Sequence, residues 1–292
     1  MYISLSRNMN LVIKDSHKAD LFTSLFQHIK LFADHVNIMF EKERVYLQSM
    51  DSSRVSIFEM NIPAEWFDVY QHTSDSSIPI GLSSSLLYKI LNTRDKIQDL
   101  NITYNHVDSD KLFLNFTCGR AIVNSIVSPD GVEQPVIRET SVKAVFDKHF
   151  ELPLMDIEYE LMNIPEQESQ AEFTVPSGTF SNLINQLGLF GDSLEIDCSE
   201  EKIMLHSVSV DQGKMAVEMK IDDLTEYSIN EGETMHITFS LKILHNICLY
   251  NKLSKEVIVH LTSNFPMKIV YDLGENANMT FYLAPKIEEG DP

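Results

Sequence analysis

Residues Phe150–Glu168 read FELPLMDIEYELMNIPEQE, and this stretch decides how the rest of the chain divides. Apolar Met155, Ile157, Tyr159 and Leu161 alternate with Asp156, Glu158 and Glu160, the period of an extended segment with one face covered. Pro153 and Pro165 bracket it and push the residues before them toward extended backbone, so no helix of any length fits. The spacing predicts a strap laid across a surface, joining two halves.

Toward the N-terminus the pattern predicts a short strand at Leu11–Ile13 and a helix over Lys18–His35. That helix turns Leu21, Phe22, Leu25, Phe26, Ile29, Phe32 and Ala33 inward, with Ser16 or Asp20 as cap. Strands follow in VNIMFEKERVYLQSM, folded at Glu41–Arg44, and in RVSIFEMNI. A strand near Ile78–Leu82, a helix over Ser83–Thr93 and strands at Leu100–Tyr104 and Lys111–Cys118 complete the half. Beyond the strap the order returns, with a strand at Phe173–Val175 and a helix over Ser177–Leu189. LEIDCSEEKIMLHSVSVDQGKMAVEMKI can then be laid against VNIMFEKERVYLQSMDSSRVSIFEMNI with the turns SEEK and EKER in register. The repeat predicts an α+β molecule of two similar domains, 1–118 and 169–292, each of two helix-plus-strands units, with 150–168 as connector. Two unrelated α+β domains that match by coincidence are the alternative. The interval 119–149 does not repeat, and its alternation around Ser128-Pro129-Asp130-Gly131 predicts an inserted hairpin.

The length of 292 residues also fits two domains of roughly 100–200 residues each. The formal charge of −20 argues against a basic surface over the whole molecule. Cys118, Cys198 and Cys248 lie far apart, which predicts neither a disulfide framework nor a zinc site and suits a reducing compartment. No run of 18 apolar residues occurs, so a soluble intracellular protein with no membrane partner is expected. The helical stretches with their flanking turns hold Lys18, Lys30, Lys89, Arg94, Lys96, Lys242 and Lys252 against Asp20, Asp34 and Asp95. Seven positive against three negative charges leaves them +4, and the remainder −20 − 4 = −24. Facing one cavity, these helices would hold a polyanion by its phosphates without reading bases, helped by Thr23, Gln27, Asn182, Asn185, Gln186 and Asn246. The plain alternative is four ordinary solvated helix faces.

Three runs carry a resemblance: LQSMDSSRVSIF (Leu47–Phe58), LMDIEYELMNIPEQE with the following PSGTF (Leu154–Glu168, Pro176–Phe180), and FYLAPKIEEGDP (Phe281–Pro292). In these the chain resembles the eukaryotic PCNA type of DNA sliding clamp over essentially its whole length. The resemblance implies a homotrimeric ring around double-stranded DNA, helices lining the hole and antiparallel sheets outside, acting as a processivity factor. It would tether DNA polymerase and other replication and repair clients and be opened by a separate ATP-dependent loader. A nuclear location, or a viral replication compartment, would follow.

The resemblance puts Lys30, Lys89 and Lys242 in the family's basic positions, and with Lys18, Arg94, Lys96, Asn182, Asn185 and His245 they make up the expected DNA-facing set. Asn182 and Asn185 stand where the family has arginine, so a weaker and less salt-dependent grip is expected. The implied client pocket is Met50, Arg54, Val55, Ile57, Met162, Ile164, Pro165, Pro266, Tyr282, Leu283, Ala284 and Pro285, with Ala284 offering backbone groups. Arg54 replaces a histidine of animal members. The implied subunit contact runs from Lys111, Phe113, Asn115 and Thr117 of one protomer to Lys214, Ala216 and Glu218 of the next. The lysine that the family modifies is replaced by Glu200, beside Lys202.

A clamp-like scaffold subunit of a checkpoint or viral late-transcription complex is the alternative function. No G-x-x-x-x-G-K-[ST], G-x-G-x-x-G, G-x-S-x-G or H-E-x-x-H occurs, so neither catalysis nor a cofactor is expected. His28 and His35 share a helix without a visible third ligand. Asp51, Asp108, Asp110 and Asp192 would have to converge for a two-metal nuclease, yet they fall in turns, where aspartate is favoured anyway.

Overall fold

The structure, a computed structural model, describes residues 9–105, 110–118, 125–127, 133–135, 145–158, 161–165 and 167–286. The first half holds β1 (Met9–Ile13), α1 (Ser16–Ile29), β2 (His35–Phe40), β3 (Arg44–Met50), β4 (Ser56–Pro63), β5 (Val69–His72), β6 (Ile78–Ser83), α2 (Ser84–Leu91), β7 (Gln98–Tyr104) and β8 (Lys111–Cys118). The intervening stretch holds β9 (Ser125–Val127), β10 (Glu133–Pro135) and β11 (Lys148–Pro153). The second half holds β12 (Ala171–Pro176), α3 (Ser177–Leu187), β13 (Ser193–Cys198), β14 (Lys202–Ser209), β15 (Gly213–Lys220), β16 (Glu226–Ile229), β17 (Met235–Ser240), α4 (Leu241–Cys248), β18 (Glu256–Leu261), β19 (Met267–Gly274) and β20 (Ala277–Leu283).

Alternating burial explains the strands: β4 buries Ser56, Phe58, Met60 and Ile62 and leaves the residues between them partly exposed. The helices bury one stripe each, as α1 does with Ala19, Leu21, Phe22, Leu25, Phe26 and Ile29. Its cap is Asp15, whose carboxylate accepts from the Lys18 amide at 2.9 Å, rather than the expected Ser16 or Asp20. The helix ends at Ile29, short of His35, and β5 and β16 are strands that the sequence pattern does not predict.

The sheets turn the repeat into a rule of assembly. A nine-stranded sheet runs β16-β12-β18-β19-β20-β4-β3-β2-β6, five strands from the second half joined to four from the first. The join is antiparallel pairing of β20 with β4, from Asn278 opposite Asn61 to Leu283 opposite Ser56. What remains is a five-stranded sheet, β11-β8-β7-β1-β5, and a four-stranded one, β15-β14-β13-β17. By the repeat, β11 takes the place of β20 and β15 the place of β4. Each half therefore ends in a sheet edge of the kind that the closed join uses up.

This corrects the expected subunit edge. Lys111, Phe113, Asn115 and Thr117 lie on β8, which is paired on one side with β7 and on the other with β11, so its backbone has no free edge. Of that sheet's two edge strands, β5 and β11, the one bordering β8 is β11, whose Phe150–Pro153 the sequence pattern assigns to the strap. Within 119–149, β9 and β10 pair antiparallel, and 119–124, 128–132 and 136–144 lie outside the described residues.

The strap is held by its backbone. The Leu154 amide donates to Asp110 O at 2.8 Å and the Met155 amide to Gly81 O at 2.8 Å. Asn37 Nδ2 donates to Ile157 O at 3.0 Å. Gln48 clasps Met162 from both sides, accepting its amide at 2.7 Å and donating to its carbonyl at 3.0 Å. The expected covered face is present only at half-buried Ile157; Met155 and Leu161 are exposed, and Tyr159 lies outside the described residues. Gly81 makes the approach possible, since a Cβ there would stand 2.2 Å from Met155 O.

Candidate functional sites: the helical row and the pocket under the strap

The four helices lie in one contiguous row. α2 packs on α1, α1 on the turn Leu249–Lys252, that turn on α3, and α3 on α4. Lys89, Lys96, Asn182 and Lys242 are exposed, and among the described residues the three lysines make no ion pair. Lys30 rests its ammonium 4.1 Å from the Tyr88 ring centre, which anchors it on the row. Asn185 and His245 join α3 to α4 through a 2.6 Å contact between Asn185 Oδ1 and His245 Nδ1.

Two expected DNA contacts are committed elsewhere. Arg94 has only 2% of its side chain exposed; it pairs with Asp20 and donates to Gln98 O at 2.9 Å, tying α1 to the turn after α2. Lys18 donates to Trp66 O at 2.8 Å and pairs with Glu275 at 2.7 Å, fixing the start of α1 to the second half.

The pocket side is the outer sheet face beneath the strap. Ile164, Pro165, Pro266 and Tyr282 come together around a cavity of about 610 Å³. Met50 and Ile57 adjoin them, because Ile57 stands directly opposite Tyr282 on β20 and opposite Met50 on β3. Leu283 is withdrawn from the set: alternation turns it to the other face, where it is fully buried. The Ala284 amide is also committed, since it donates to Val55 O at 3.0 Å, leaving its carbonyl. Arg54 is exposed at a turn with φ +59°, a left-handed position held by Asp51, whose carboxylate accepts from the Ser53, Val55 and Ser56 amides. Asp51 is thereby committed to its own turn, Asp108 lies outside the described residues, and among those described no three His, Cys, Asp or Glu residues could hold a metal ion. Sequence reasoning misses Phe265, Glu172, His260 and Lys268 on the cavity wall; Glu172, His260 and Lys268 share one row across the sheet, and Phe265 lies in the turn between β18 and β19.

A doubled α+β chain, helices in one row and complementary edges at its two ends, has the architecture of a ring-forming clamp. Models of the proliferating cell nuclear antigen N-terminal domain and C-terminal domain match residues 13–125 and 163–286. Proliferating cell nuclear antigen of Chaetomium thermophilum is 27% identical over 279 residues, 94% of this chain and 97% of that protein. The crystal structure of the antigen from Entamoeba histolytica superposes with a TM-score of 0.78 at 23% identity, covering 96% of this chain and all of that one. The chain belongs to the proliferating cell nuclear antigen family. It is a DNA sliding clamp, a processivity factor of a family of non-catalytic scaffolds that encircle DNA as trimers and bind polymerases. The scaffold-subunit alternative is not favoured by these matches.

Proposed function

We propose that three copies close head to tail, the β11 edge of each protomer pairing with the β15 edge of the next, into a nuclear clamp opened by an ATP-dependent loader. The observation that carries the contact is the closed join. Phe281 on β20 lies opposite Ile269 and Phe58, and Phe58 lies opposite Ser49. In the repeat Phe150 lies opposite Leu114, and Met215 opposite Ser207. Transposing the register sets Phe150 opposite the next protomer's Met215 and Glu151 opposite its Lys214, a charge pair with both apolar faces matched. Exposed apolar residues gather at both edges: Ile97 and Phe146, joined by Gln98 donating to Phe146 O at 2.8 Å, near β11, and Leu189 and Val208 toward β15. A heterologous interface of this kind either closes or grows into filaments, and closure at three removes every such edge. Light scattering after size exclusion should give about three times 33.4 kDa, and 33.4 kDa at micromolar concentration would count against the ring.

Inside the ring Lys30, Lys89, Lys96, Lys242, Asn182, Asn185 and His245 face the DNA phosphates, while Lys18 and Arg94 do not. Lys242→Gln should lower the salt slope of DNA binding by roughly one unit for each phosphate it no longer neutralises, whereas Arg94→Gln should lower stability and leave the slope unchanged. Clients insert an apolar plug over Met50, Val55, Ile57, Met162, Ile164, Pro266, Tyr282 and Pro285, with Pro165 and Arg54 at the rim.

A further inference from the structure

The cavity under the strap does not end where its apolar lining ends. One straight row crosses five strand boundaries: Met50, Ile57, Tyr282, Lys268, His260 and Glu172 stand opposite one another in turn. The first three form the apolar floor already described. The last three continue that floor as a charged annex, with Lys268, His260 and Glu172 all on the cavity wall. The strap roofs both parts, clasped at Met162 by Gln48 and held at Glu168, whose carbonyl accepts from Thr262 Oγ1 at 3.3 Å.

Within the annex the charges are unequally matched. Glu172 has its partner, His260 Nδ1, at 2.8 Å. His260 itself is held below the ordinary imidazole range, first by burial and also by the nearby Lys268 ammonium, against the pull of Glu172. Its Nδ1–H donates to the Glu172 carboxylate. Lys268 is half-buried, is the only cation on the cavity wall among the described residues, and makes no ion pair with them. Glu168, the other acid on that wall, is exposed at the rim.

We propose that Lys268 is a specificity determinant: the annex takes an aspartate or glutamate side chain of the client segment whose apolar plug fills the floor over Ile57 and Tyr282. This rests on reading the floor as the client site. Lys268 is two strands from Ile57, roughly 10 Å at the usual strand spacing. That separation places the acid about three extended residues, or two helical turns, from the plug. On an outer surface as acidic as this one, a client carboxylate meets a cation here, so one acidic position is favoured where others are repelled.

The test uses the 292-residue chain and labelled 19-residue peptides with one apolar anchor, Ile-x-x-Phe-Phe. A single Glu is placed at each of the seven positions on either side of the anchor, each peptide matched by its Gln twin. At one position the Glu peptide should bind roughly tenfold tighter than its twin by fluorescence anisotropy, and that preference should shrink as salt rises. Lys268→Met should erase the preference, and Ile57→Ala should weaken every peptide alike. Binding with no Glu preference at any position, or a preference that survives Lys268→Met, overturns the annex and leaves the floor standing. Failure of all peptides to bind, or indifference to Ile57→Ala, overturns the floor reading and the annex with it.

Discussion

The join between β20 and β4 and the pair of edges β11 and β15 are the same device in two states, one closed within the chain and one left open. The closed join is packed with rings. Phe281 lies within 4.9–6.3 Å, centre to centre, of Phe32, Phe58, Tyr250 and Tyr271, and the His28 ring lies 4.7 Å from that of Tyr250, tilted by 45°. Among the described residues the open edges carry one ring pair, Phe116 with Phe150 at 5.4 Å, and on the other side Met215 and Val217. The difference follows from connectivity. Two halves on one chain meet at high effective concentration and can evolve a permanent aromatic core, while edges that meet a second chain depend on mass action. A ring that must open around DNA is best opened where its packing is lightest.

The strongest way to break this comparison is Phe281→Ala. Truncating a fully buried ring at the closed join should cost about 3–5 kcal/mol in urea unfolding. A loss under about 1 kcal/mol would mean that the rings do not hold the halves together. Phe150→Glu should act on the open edge instead, leaving the protomer folded by circular dichroism while light scattering falls from the trimer mass to 33.4 kDa. A trimer that survives would remove β11 from the interface.

Gly81→Ala sharpens the relation between the two, because the strap starts at the open edge and ends over the closed join. Its new Cβ must displace Met155 O, a local strain of about 1–3 kcal/mol. Protease cleavage within 154–165 should accelerate, with the global unfolding midpoint shifted by only a few degrees, and an unchanged cleavage rate would show that the strap is not held there. The smallest effect is on pH. His28 at the closed join is held below its ordinary value of 6.5, chiefly by burial and then by Lys252 and Lys30. The unfolded chain takes up that proton first, so stability is complete above pH 6.5 and declines as pH falls below it. His28→Gln should flatten part of that decline in thermal unfolding, whereas an equal slope in the variant would assign it elsewhere.

Much of the fold is legible because patterns of period two and 3.6 survive in the sequence: β8 has the bounds that its alternation predicts, and the turn at Glu41–Arg44 lies between β2 and β3 as expected. The strap is only partly legible because alternation alone cannot tell a strand in a sheet from an extended segment held by its backbone; Phe150–Pro153 is the first and 154–158 the second. The subunit edge is hidden for the same reason, since pairing partners 32 to 42 residues apart leave no mark on local periodicity. Arg94 and Lys18 look like phosphate ligands because a charge on a helix does not declare whether Asp20 or Glu275 reaches it first. Lys268 and His260 are invisible as pocket residues because the row that unites them with Ile57 exists only across strands.

The central claim is that β11 meets β15 of the next protomer, and a disulfide across that interface tests it most directly. With Cys118→Ser removing the exposed native thiol, Glu151→Cys combined with Lys214→Cys should yield, on mild oxidation, covalent dimers and trimers on a non-reducing gel. Asn115→Cys on β8 combined with Lys214→Cys should yield none. Cross-linking by the β8 pair, or by neither pair while the protein still elutes as a trimer, would contradict the account.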